Sequence, residues 1–257
     1  MKKHFLSLLL AAVAIFFAGC IETTEELTIS ADGSGTYHVG MDMSGLFDMM
    51  EMLKAMDTAT AGGKKEKLKM DTTMQMRHFT DTASHLTAAE KALFQNAQMK
   101  MRMDEDARQF KIDMNFPFTK ISDVEKLMKI SQAGDGGNAV SKILKGNAMG
   151  EADAVDNPMP DLNSYFDTKV AGNLIERKLN KEKYQALLQN DQVKSMQQAG
   201  DMLESFKMNT VIHLPRAAKT VTGSRAQLSA DKKTLTLKAT MMDLFENPEV
   251  FAYRVEY

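Results

Sequence analysis

The pattern that most restricts how this chain can fold is a two-residue alternation that stops and restarts at glycine- and aspartate-rich turns. Leu27 to Ser30 alternates, Asp32-Gly33-Ser34-Gly35 interrupts, and Thr36 to Met43 alternates again. Tyr37, Val39, Met41 and Met43 then share one side, with His38, Gly40 and Asp42 on the other. Successive strand side chains point to opposite faces, so alternation on both sides of such a turn predicts a hairpin. The motif recurs at Met99-Lys100-Met101-Arg102-Met103, the turn Asp104 to Ala107, and Gln109 to Phe116, where Phe110, Ile112, Met114 and Phe116 point inward. Met70 to Phe79, Phe206 to Leu214, Thr234 to Ala239 and Val250 to Tyr257 read as further strands, and Tyr165 to Leu179 as an extended segment.

Helical signals lie between these strands. Ser44 is placed to cap a helix from about Gly45 to Met56, and Asn180 one running to about Leu203. Thr87-Ala88-Ala89-Glu90 and Ser122-Asp123-Val124-Glu125 are capping boxes, the second followed by the stripe Val124, Leu127, Met128 and Ile130. Asp243 to Asn247 suits a helical turn. Residues 132–163 carry scattered Gly and Pro among small and acidic residues and read as a flexible loop. Hairpin connections without regular β-α-β alternation predict an α+β fold: an antiparallel sheet of hairpins with about four packed helices.

The first twenty residues have another character. Lys2 and Lys3 precede an almost wholly apolar run from Phe5 to Phe17, and small residues follow. A charged start, a short apolar segment and a small-residue cut site define a secretory signal. The run is too short to cross a roughly 30 Å hydrocarbon core comfortably. Phe17-Ala18-Gly19-Cys20 resembles the lipobox of bacterial lipoproteins. That resemblance implies cleavage before Cys20, diacylation of its thiol, and a protein held in the cell envelope by its acyl chains. Cys20 is the sole cysteine of the chain. Phe17 stands where the lipobox commonly has leucine. In Gram-negative members of the class aspartate after the cysteine tends to retain the protein in the inner membrane, so Ile21 points to the outer one. The resulting partition is a signal peptide at 1–19, a lipidated tether at 20–26, and an envelope domain at 27–257.

Composition narrows the functional classes. Formal net charge is −2 and no long basic cluster occurs, which leaves nucleic-acid binding without an electrostatic footprint. With Cys20 lipidated no disulfide can form, so the core must stabilise the fold unaided. The histidines lack metal-ligand spacing, no nucleophile or nucleotide motif occurs, and no cofactor is expected. His38 and His213 fall on the polar faces of strands. An enzyme would need groups such as His78, His85, Asp81 and Arg177 to converge; the expectation is no catalysis.

The compositional oddity is 22 methionines in 257 residues. Thioethers fill irregular cores and also serve adaptable apolar surfaces. A ligand pocket would be lined by Met41, Met43, Met101, Met103, Met114 and Met208. The expected role is therefore a non-catalytic structural or binding protein of the envelope, whose partner would be an envelope protein. The alternative is a carrier or sensor of lipid or another apolar ligand. His213-Leu214-Pro215, Val221-Thr222-Gly223 and the run Leu228 to Leu237, with the opening hairpin, resemble mycobacterial LppM-type lipoprotein domains. That resemblance implies a membrane-tethered α/β domain that handles lipid. The chain is also similar to lipoproteins of the Bacteroidetes kind, which imply no particular activity.

Overall fold

The computed structural model describes residues 21–48, 51, 68–80, 87–132, 165–189, 193–194, 197 and 200–257. The signal expected at 1–19, Cys20 and nearly all of the loop expected at 132–163 lie outside the described residues, as do most of the helix expected at 45–56 and Asp81 and His85.

The expected hairpins are present. The strand β1 (Ile21–Ile29) pairs antiparallel with β2 (Gly35–Asp42). Gly35 is required at that turn, because a Cβ there would lie 1.9 Å from the Thr28 carbonyl oxygen. Next come β3 (Lys69–Gln75), β4 (Gln98–Asp104) and β5 (Gln109–Phe118), which extend the sheet through β2–β5, β5–β4 and β4–β3 pairing. A smaller hairpin, β6 (Phe166–Ala171) and β7 (Leu174–Leu179), turns at Gly172 with φ +56°. The C-terminal part supplies β8 (Phe206–His213), β9 (Thr220–Thr222), β10 (Gln227–Leu228), β11 (Thr234–Thr240) and β12 (Tyr253–Glu256).

Two sheets result. One has eight strands in the order β10-β11-β8-β1-β2-β5-β4-β3, the other four in the order β6-β7-β12-β9. The expected antiparallel α+β fold with four packed helices is thereby corrected. The protein is mostly β, and its larger sheet is mixed, because β1 runs parallel to β8 from Ile21↔Phe206 to Thr28↔His213. Turn chemistry marks neighbours in sequence; it carries no sign of a pairing between strands so far apart in the chain. The helices among the described residues are short: α1 (Arg77–Thr80), α2 (Ala88–Leu93), α3 (Val124–Gln132), α4 (Lys181–Gln189), α5 (Gly200–Glu204) and α6 (Met241–Glu246), none of these longer than nine residues. The capping box at Thr87 and Glu90 forms as its residues predict, and Thr240 with Asp243 makes another on α6.

A second correction concerns residues 21–26. Expected as a tether, they belong to β1, a strand in the interior of the larger sheet. The alternation was disguised by Glu25, which occupies an inward position beside Ile21, Leu27 and Ile29 and is buried with them. The inner faces of both sheets join in one hydrophobic cluster, in which α3 covers β2 and β6 while α6 covers β8 and β11. Tyr37 stacks on Phe116 at 5.9 Å between ring centroids, and Phe94 meets Phe116 edge-on at 5.7 Å. The outer face of the larger sheet is polar.

Candidate functional site

The two sheets are joined through a buried charge pair. Glu25 projects inward from β1, and Arg177 from β7 donates from Nη1 to its Oε2 at 3.1 Å. The Tyr37 hydroxyl donates to the other carboxylate oxygen at 2.6 Å. The guanidinium also lies 4.7 Å from the centroid of the Phe166 ring, within range of a cation–π contact. Tyr253, which pairs with Arg177 across β12 and β7, adds a buried hydroxyl. Burial pushes that phenol up, and the positive charge of Arg177 opposes the shift. Arg177 Nε and Tyr253 Oη are buried with no hydrogen-bond partner. Thr168 and Thr210 complete the polar residues buried nearby in the strand registers.

An ion pair removed from water must recover its lost hydration through geometry and added hydrogen bonds. Here the carboxylate is held by a tyrosine and an arginine from different sheets. The arrangement fixes one sheet against the other. It presents no exposed nucleophile beside a base, and reads as a clamp.

The outer side of the smaller sheet bears a cleft of about 610 Å³. By strand alternation the side chains of Glu176, Lys178 and Arg254 share its side of the sheet; Arg177, Thr222, Gly223, Ser224, Glu249, Ala252 and Tyr253 also line it. Three of its charges pair off: Glu176 Oε1 receives Arg254 Nη1 at 3.0 Å and Lys178 Nζ at 3.2 Å. The hydrogen bond from Arg254 holds the Glu176 carboxyl below the usual range. Arg254 also bonds Glu256.

The methionines proposed from sequence as a pocket fall into two settings. Met101, Met103 and Met114 are core residues, Met101 with no exposed surface. Met41, Met43 and Met208 are partly buried against that core. None of the six lines the cleft. Of the groups an enzyme would have needed, His78 is exposed on α1 and Arg177 is engaged with Glu25. His38 and His213 do lie on the polar face, where His38 Nε2 is 3.2 Å from Asp113 and His213 Nε2 is 3.2 Å from Glu26. Among the described residues no group of His, Cys, Asp or Glu is arranged to hold a metal ion, and no helix is long and apolar enough to cross a membrane.

Sequence reasoning missed the clamp. The available signal was a glutamate at an inward position of an otherwise alternating strand, and an arginine between Ile175 and Leu179 on β7.

Fold and site together define a mostly-β protein of two sheets locked by an internal ion pair. The chain is similar to the folded domain of the LppM protein of Mycobacterium tuberculosis, whose structure was determined by NMR. The match covers 93% of this chain and 90% of that one, at 9% identity and a TM-score of 0.36. No family model matches the chain, and no curated protein matches it.

Proposed function

We propose that this chain is a lipid-anchored, non-catalytic protein of the cell envelope with a structural or binding role. Cys20 carries the acyl chains, and the outer membrane is the site in a Gram-negative cell. One observation supports the reading above others: Ile21, the residue after the lipobox cysteine, already belongs to β1. A cut before Cys20 therefore removes the signal and leaves the folded strands whole. Two or three acyl chains give durable attachment where one alone binds only marginally. The partner is an envelope component.

The test is metabolic labelling of the full chain with an alkyne palmitate analogue, followed by flotation of membranes. The parent chain takes up label and floats. Cys20→Ser takes up none and is lost from the floating fraction. Equal labelling and flotation of the two would overturn the reading.

A further inference from the structure

We infer that the end of the larger sheet at which β1 begins is a lipid-contact surface, seated directly on the bilayer. The inference rests on acylation of Cys20.

It follows from chain length and from what surrounds Ile21. Consecutive Cα atoms are about 3.8 Å apart, so a cysteine bonded to Ile21 cannot stand away from the sheet. Ile21 is itself buried and paired with Phe206, which leaves no slack residues between anchor and fold. Acyl chains on Cys20 therefore bring this end of the sheet to the membrane surface.

The side chains at that end suit such a position. Neighbouring strands are spaced about 4.8 Å apart, so the residues beside Ile21 form a row along the sheet end. Phe206 opens β8 on one side, and Met242 follows the end of β11 at Thr240↔Lys207. On the other side Met43 continues β2 and bonds the Phe110 carbonyl, then Leu46 and Phe47 turn away in a helical segment. Leu68 precedes β3, and its carbonyl accepts from the Glu105 amide of the adjacent turn. These six apolar side chains are all partly exposed. The opposite end of the sheet exposes Ala31 and Asp32 of the first turn, Lys120, and Asp231, Lys232 and Lys233 of the β10–β11 turn; at the anchored end Lys69, Asp106, Arg108 and Lys207 are exposed beside the apolar row.

Charge defines the kind of lipid surface. At the anchored end Arg108 is bound to Asp48 and Glu51, Lys69 to Asp104 and Lys111 to Asp42. These three cations are paired with carboxylates of the chain, and Lys207 is exposed beside Phe206. The contact is then one of apolar side chains with the interfacial zone of the bilayer. On a phosphatidylcholine surface it needs no anionic headgroups, and added salt leaves it in place.

The test uses the full acylated chain in phosphatidylcholine vesicles that carry a headgroup nitroxide. Phe47→Cys places a fluorophore at the anchored end and Ala31→Cys one at the far end. Met242→Cys repeats the first measurement on a separate element, so a folding defect in one variant does not decide the result. The expected outcome is quenching several-fold stronger at positions 47 and 242 than at 31, unchanged in 0.5 M salt (about a 4–5 Å screening length). Equal quenching at all three positions in an acylated, vesicle-bound protein would overturn the seating and leave the anchor standing. Absence of acyl mass and of flotation would refute the anchor, and the seating with it.

Discussion

Removing one member of the Glu25–Arg177 pair should damage the protein far more than removing both. The Arg177 and Glu25 side chains are 4% and 11% exposed. In Glu25→Leu the guanidinium keeps its ring contact with Phe166 but loses its counter-charge, and the Tyr37 hydroxyl loses the acceptor it now holds at 2.6 Å. An uncompensated buried charge costs about 3–5 kcal/mol. In a chain of this size a loss of 1 kcal/mol lowers Tm by about 2–4 °C, which puts the expected fall near 10 °C. Arg177→Met should do comparable harm by leaving the carboxylate alone. In the double variant Glu25→Leu/Arg177→Met no unpaired charge remains, and apolar side chains of similar size fill the space. Replacing a whole buried pair in this way is often neutral or stabilising. The double variant should therefore recover most of the loss, with a coupling energy of about 2–4 kcal/mol of rescue. Urea unfolding of the mature chain, followed by circular dichroism and tyrosine fluorescence, measures all four corners of the cycle. Single variants within 1 kcal/mol of the parent (about the worth of an exposed pair) would refute the argument, because the pair would then be behaving as solvated. A double variant as unstable as the worse single one would refute it too.

Met101→Ala distinguishes packing from ligand binding: with no exposed surface, the side chain should cost about 2–5 kcal/mol on truncation, measured by the same unfolding curves. A loss below 1 kcal/mol, less than a packed core methionine should cost, would place it at an open cavity. Acid should destabilise the protein partly through Asp243. Burial raises its pKa, but hydrogen bonds from Arg225 and Thr240 outweigh this, and the folded value lies below the ordinary one. A carboxyl lowered on folding adds stability that is present above the unfolded value, about 3.9, and lost as pH falls through the folded value. Stability should therefore drop as pH is taken below about 4, and Asp243→Asn should flatten that part of the curve; an unchanged slope would show that the Arg225 contact adds nothing.

The sequence by itself determined the local pieces. Alternation at Tyr37 to Met43 and at Phe110 to Phe116 makes strands because a buried sheet face demands apolar side chains at every second position. Thr87 and Glu90 begin a helix because their side chains satisfy amides that the first turn leaves unpaired. The expectation of an export signal is likewise local, since charge, apolar length and small residues are read along the chain. What the sequence withheld was everything decided by distant partners. The parallel pairing of β1 with β8, the division into two sheets, and the meeting of Glu25 with Arg177 join residues well over a hundred positions apart. Residues 21–26 show why. Alone they are a polar stretch with a glutamate where an apolar residue belongs, and only the guanidinium from the other sheet makes that glutamate an interior residue. The methionines show the same division: their alternation puts Met99, Met101 and Met103 on one face, but whether that face meets solvent, ligand or core depends on what packs over it. Local geometry is set by neighbours in the chain; burial is set by the layer opposite, and that layer exists only in the folded molecule.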